Sequence, residues 1–173
     1  KVIVSAGGSR EAIDPVRYVT NRSSGKQGYA ITQATLDAGA REVILVSASD
    51  TLETPLGATL IAVASAQEMH DAILAHIDQT DALIMSAAVA DFRPATVADQ
   101  KIKKSADGSG GITLDLVRTP DILMSVKGHR EQTGYPRVVV GFAAESQNLL
   151  ENAQSKLDRK GLDMIVANDI TAT

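Results

Sequence analysis

The chain contains no cysteine and no tryptophan, has five prolines, and its aromatic residues make up only 3% of 173 positions. Lack of cysteine excludes disulfide scaffolds, thiolate metal sites and cysteine nucleophiles, and suits a reducing cytoplasm, the location expected. Scarce aromatics disfavour base-stacking platforms for single-stranded nucleic acid. Charge of one sign is lacking too: 17 Lys and Arg stand against 21 Asp and Glu, a net charge of −4. That argues against a nucleic-acid footprint and leaves room for a local basic site that could hold a phosphate. No apolar run approaches the roughly 20 residues needed to cross a bilayer, so no membrane contact is expected, and no secretory leader is visible. The chain opens at Lys1 directly in a strand-like run and stops at Thr173 soon after another. One domain over 1–173, cut from a longer chain, is the organisation expected.

What is present is an alternation. Short β-branched runs cover 1–5 (KVIVS), 42–47 (EVILVS), 59–63 (TLIAV), 81–86 (DALIMS), 137–142 (RVVVGF) and 163–167 (DMIVA). Helical patterns fall between them, over 26–38, 67–79 and 149–159. In the second, Met69, Ala72, Ile73 and Ile77 would share one face. The strand runs are almost wholly apolar rather than alternating, the mark of strands covered on both faces. With right-handed crossovers the expectation is an α/β fold: a doubly wound, mostly parallel, Rossmann-like sheet. The stretch 9–21 reads as irregular. Residues 91–121 are polar, carry Lys101, Lys103, Lys104 and the Gly-rich 107–111, and read as a flexible flap with a short hairpin over 112–117.

In such a sheet, ligands bind beyond the carboxyl ends of the strands. Four ends carry unusual residues: Gly7-Gly8, Ala87-Ala88 with Asp91, Phe142 through Glu145, and Asn168-Asp169. Small residues there either let a ligand approach the backbone or simply help helices pack. Ser23-Ser24-Gly25-Lys26-Gln27-Gly28 opens the first helical pattern, so its hydroxyls and N–H groups either take an anion or form an ordinary cap. Neither the P-loop order nor G-x-G-x-x-G is present. Lys101 in a flexible setting could neutralise charge on a phosphate, and Lys156 with Lys160, one helical turn apart, could form a basic patch or an exposed face. His70, His76 and His129 lack metal-like spacing and read as structural or solvated, with no evident Ser/His/Asp arrangement.

Several stretches taken in order carry a resemblance: SAGGSREAIDPVRYVTNRSSGKQG (5–28), SAAVADFRPATVADQKIKK (86–104), RTPDIL (118–123), GFAAE (141–145) and KLDRKGLDMIVAND (156–169). This set resembles the CTP-dependent phosphopantothenate–cysteine ligases of bacteria, often fused behind a flavin-dependent phosphopantothenoylcysteine decarboxylase. The resemblance implies that the 4'-phosphopantothenate carboxylate attacks the α-phosphate of CTP, giving an acyl-cytidylate and pyrophosphate. Cysteine then displaces CMP to form an amide. By position, Asn21 matches the asparagine that contacts the acyl group and supports the second step. Lys101 matches the flap lysine that promotes the intermediate. Gly7, Gly8, Ser23, Gly25 and Gly28 match phosphate-cradling positions, and Ala87, Ala88 and Asp91 match positions at the pantothenate moiety, the nucleotide or both. Pro120, Asp121, Ile122, Leu123, Phe142, Lys156, Lys160 and Asn168 match nucleotide-binding positions. Arg17 matches an arginine that reaches a neighbouring subunit's pantothenate phosphate, which implies a homodimer. Mg²⁺ is expected with the triphosphate, its ligands unassigned. Ser9 stands where relatives often have Thr, keeping the hydroxyl. A NAD(P)-dependent oxidoreductase, with Asp50 as ribose partner, or a non-catalytic nucleotide-binding domain, are the competing readings.

Overall fold

The computed structural model describes residues 1–103, 111–145 and 147–169. Its centre is a six-stranded sheet of β1 (Val2–Ala6), β4 (Val43–Ser47), β5 (Thr59–Ala62), β6 (Ala82–Met85), β9 (Val138–Glu145) and β10 (Met164–Asp169). Spatially they run β10-β9-β6-β1-β4-β5, and every pairing between neighbours is parallel. The order reverses between β1 and β6, which is the switch point of a doubly wound fold.

The apolar runs earn their two-sided burial. Val4, Ala6, Val43 and Leu45 point to one face and pack with Tyr29 of α1 (Lys26–Asp37). Ile3, Ile44, Val46, Leu83 and Met85 point to the other. There they meet Met69 and Ile73 of α2 (Ala66–His76) and Ile122 and Val126 of α3 (Ile122–Thr133), with Leu157 of α4 (Leu149–Lys160) packed against the same cluster. Ser65 and Glu68 close a capping box at the start of α2.

Three expectations need correction. The stretch 9–21 is an antiparallel hairpin, β2 (Arg10–Asp14) with β3 (Arg17–Thr20). It stands off the main sheet and is anchored to the start of α2, where Arg10 N–H donates to Ala64 O (2.8 Å) and Ala66 N–H to the buried Glu11 Oε1 (2.9 Å). The hairpin expected within 112–117 is instead a long-range pair, β7 (Phe92–Pro94) with β8 (Leu116–Arg118). Helix α3 was not expected; Asp121 caps it, accepting from Met124 N–H at 3.1 Å. Lys104 and the Gly-rich 107–110 lie outside the described residues.

Gly28 shows how tightly α1 lies on the sheet. A Cβ there would sit 2.5 Å from Ala6 Cβ, 2.8 Å from Ser5 O and 2.9 Å from Ser86 Oγ. Gly28→Ala should therefore cost about 1–3 kcal/mol by overpacking, read as a lower denaturant midpoint at unchanged m-value.

Candidate functional site

At the switch point the ends of β1 and β6 are laced together. Ala88 N–H donates to Gly7 O (2.8 Å), and Ser9 N–H returns to Ala88 O at 3.3 Å. Two buried hydroxyls complete the join: Ser5 Oγ accepts from Ala87 N–H (3.1 Å), and Ser9 Oγ from Ala90 N–H (2.9 Å). The hydroxyl at position 9 thus fixes the turn that carries Ala87 and Ala88.

Asn21 follows β3 and is pressed onto this join. A Cβ on Gly8 would lie 2.5 Å from Asn21 O, so only glycine allows the approach. The Asn21 side chain donates from Nδ2 to Val89 O at 3.0 Å. Ser23 and Ser24 then lead into α1, their hydroxyls accepting from Gly25 N–H (3.3 Å) and Lys26 N–H (3.4 Å). Gly25 takes a left-handed φ of 77° as it enters the helix, and the first turn of α1 holds no acidic residue. The positive end of the helix dipole is therefore not offset locally, which suits an anion.

These elements bound a cleft of about 280 Å³ lined by Gly8, Arg10, Tyr18, Thr20, Asn21, Arg22, Ser23, Ser24 and 48–51. Arg10 spans it to Asp50 (2.7 Å) and lies 5.8 Å from the Tyr18 ring centroid. Its hydrogen bond and charge hold the Asp50 carboxyl below the usual carboxylate range. An acid so engaged is a poor ribose partner. The loop after β4 also sits directly over Gly7, where an added Cβ would meet Ser49 N at 2.7 Å. Both features count against a dinucleotide.

A second group assembles along β9, α3 and α4. Lys156 donates to Phe142 O at 2.6 Å, and Lys160 is paired with the Asp121 carboxylate. Ile122 is 4% exposed and belongs to the core, so it could meet a ligand only through its backbone. Leu123 packs on that core, and Pro120 follows Thr119, whose hydroxyl and N–H reach Ala90 O (2.6 Å) and Asp91 O (3.0 Å). Residues 89–91 therefore join Asn21 to the second group. Asn168 pairs with Ala144 in the β9–β10 ladder and is exposed.

Lys101 precedes Ile102, which Arg17 holds at the far end of the hairpin. Arg17 donates to Ile102 O (2.6 Å) and pairs with Asp14 at 3.4 Å. Lys101 is exposed and does not line the Asn21 cleft. From Arg17 to Asn21 the strand covers four residues, roughly 13 Å. A mostly apolar cleft of about 260 Å³ lies beside this end, between Ile13, Pro94, Ile102, Ile112 and Leu114.

The histidines need one correction. His70 Nδ1 lies 2.8 Å from Asp71 Oδ1 and Nε2 lies 3.1 Å from Ser125 Oγ, so a Ser/His/Asp arrangement does exist. The His70 bond and one from Gln67 lower the Asp71 pKa. Ser125 sits within a turn of α3, its N–H bonded to Asp121 O, and neither cleft includes the three residues. They tie α2 to α3. The cleft residues Arg10, Tyr18, Ser49 and Thr51 carried no local sequence signal, because they converge from separate elements.

Comparison with known proteins places this geometry in a family. A model described as "DNA/pantothenate metabolism flavoprotein C-terminal domain" matches residues 1–173. The chain is 48% identical over 170 residues to the coenzyme A biosynthesis bifunctional protein CoaBC of Vibrio vulnificus strain YJ016, and 48% identical over 172 residues to that of Bacillus subtilis strain 168. It covers 98% and 99% of itself but only 41% and 40% of those relatives' length. It is also similar to the crystal structure of the C-terminal domain of a CoaBC protein, with TM-score 0.82 and 42% identity, over 97% of this chain and 76% of that one. A DNA/pantothenate metabolism flavoprotein from Streptococcus pneumoniae matches with TM-score 0.82 and 26% identity, over 99% of this chain and 82% of that one.

Proposed function

The chain belongs to the DNA/pantothenate metabolism flavoprotein C-terminal domain family, and from that membership we infer that it is a phosphopantothenate–cysteine ligase of coenzyme A biosynthesis. In this reading it activates the 4'-phosphopantothenate carboxylate with CTP, releases pyrophosphate, and passes the acyl group from the acyl-cytidylate to the amine of cysteine with loss of CMP. Activation is needed because a carboxylate has no adequate leaving group, whereas the mixed anhydride expels a phosphate.

The observation that carries the reading is the junction at Asn21. Its amide is fixed to Val89 O where the Gly8 turn, the start of α1 and residues 87–91 converge beside a cleft. An acyl phosphate held there would have Asn21 at its acyl carbon and the Ser23–Gly25 helix start at its phosphate. Asp121, Lys156, Lys160 and Phe142 belong to the nucleotide side, with Asp91 and Asn168 at its rim. Lys101 supplies charge for the first step, and Arg17 binds the pantothenate phosphate of a neighbouring subunit in a homodimer.

Mg²⁺ enters this reading as a companion of the triphosphate. Among the described residues no group of three His, Cys, Asp or Glu could hold a metal ion, so those residues offer no resident cage. Magnesium commonly keeps its waters and binds through substrate phosphates. The relatives' greater length fits a fused flavin-dependent decarboxylase in the whole protein, working in the cytoplasm. No helix among the described residues is long and apolar enough to cross a membrane.

The test is pyrophosphate release by the full-length protein with 4'-phosphopantothenate and each of the four nucleoside triphosphates. CTP should support release and then amide formation when cysteine is added. Absence of release with all four would leave only a binding domain.

A further inference from the structure

Asp14 sits at the hairpin tip with 2% exposure. Its Oδ1 accepts from Val16 N–H at 2.9 Å, which closes the turn Asp14–Arg17. Its Oδ2 has a different task, accepting at 3.1 Å from the N–H of Ile102, 88 residues further on. Arg17 holds the same peptide from the other side, one guanidinium nitrogen reaching Ile102 O at 2.6 Å and the other lying 3.4 Å from Asp14 Oδ2. Nearby, Ala98 N–H donates to Ile13 O at 3.0 Å. Burial opposes charge on Asp14, but the N–H groups of Val16 and Ile102 and the Arg17 guanidinium outweigh it, so its pKa is lowered.

A turn alone would need only Oδ1. The second oxygen and the arginine are spent on a segment that contributes nothing to the turn, and the residue preceding the clamped peptide is Lys101. We propose that Asp14 is a positioning residue for Lys101: the Asp14–Arg17 clamp on Ile102 fixes the root of the lysine side chain and so the place where its charge is delivered. This rests on the reading that Lys101 acts in the first chemical step. A long, flexible side chain loses effectiveness when its anchor drifts, since displacement by about 1 Å can cost up to roughly 100-fold in rate.

Asp14→Asn is nearly isosteric. It keeps an acceptor for Val16 but turns an NH₂ toward Ile102 N–H and removes the charge facing Arg17. Single-turnover pyrophosphate release by the full-length protein should slow about tenfold, with the KM for CTP unchanged. In a Lys101→Gln background, Asp14→Asn should add nothing further, because both changes act through one group. Independent, additive losses, or a wild-type rate for Asp14→Asn, would overturn the proposal. A wild-type rate for Lys101→Gln alone would instead remove the role of the lysine, and the proposal with it. Should Asp14→Asn not fold, Ile102→Pro deletes the N–H without changing Asp14, whose Oδ1 still accepts from Val16 N–H and closes the turn. The same slowing is expected, and an unchanged rate would overturn the clamp.

Discussion

Replacing Lys101 by Gln should slow pyrophosphate release by about 100- to 1,000-fold while leaving the second half-reaction near its normal rate. As the carboxylate attacks the α-phosphate, negative charge builds on the oxygen that bridges to the departing pyrophosphate. A neighbouring ammonium stabilises that charge more in the transition state than in the bound triphosphate, so its loss falls on the rate rather than on binding. Lys101 is exposed beside a clamped peptide, so its stem is free to reach a ligand while its backbone stays fixed. Glutamine keeps much of the length and the polarity and removes only the charge. Single-turnover release from full-length protein measures the first step. Supplying preformed acyl-cytidylate with cysteine measures the second. Equal losses in both would mean that the lysine shapes the site as a whole.

The parts of the fold that the sequence made legible are those whose burial leaves a local pattern. Stretches such as 43–46 and 82–85 are apolar throughout, as in β4, where Ile44 and Val46 face one helix layer while Val43 and Leu45 face the other. The hairpin 10–20 has no such signature. It covers no continuous core, it buries the acids Glu11 and Asp14 while leaving the apolar Val16 and Tyr18 exposed, and its charges are satisfied by partners far along the chain. Helix α3 buries only Ile122 and Val126 fully. Asp121 caps its start, and Gly134 closes its end at φ 77°. The β7–β8 pair joins Phe92 to Arg118 through three-residue strands, too short for a period and too distant for a turn signal.

The candidate site divides the same way. Gly8 and the Ser23–Gly25 run stood out because their residue types suit a close backbone approach and a helix start, whereas Asn21 was marked only by the resemblance. Arg10 with Asp50, and Asp14 with Ile102, were invisible because their meanings arise only when residues 40 and 88 positions apart are brought together. His70 and Asp71 are adjacent in sequence, but Ser125 comes from another helix. Gly28 is in addition held to glycine by the contact between α1 and β1, where an added Cβ would lie 2.5 Å from Ala6 Cβ.

Asn21→Asp should separate the two half-reactions from the opposite direction. The Asn21 amide carries two donor protons, and one is directed to Val89 O at 3.0 Å. The second suits the acyl oxygen, which becomes an oxyanion when the cysteine amine adds. Aspartate of the same shape loses both donors and sets a negative charge against both the Val89 carbonyl and that oxyanion. Amide formation should fall by about 100-fold or more. The first step develops its charge at the phosphate, so it should proceed. The expected result with CTP and 4'-phosphopantothenate is a burst of pyrophosphate equal to the sites present, followed by acyl-cytidylate persisting on the enzyme after cysteine is added. Rapid quench and chromatography would detect that intermediate directly. If pyrophosphate release stopped as well, Asn21 would be needed before the mixed anhydride exists. The division of work between the two ends of the hairpin would then have to be redrawn.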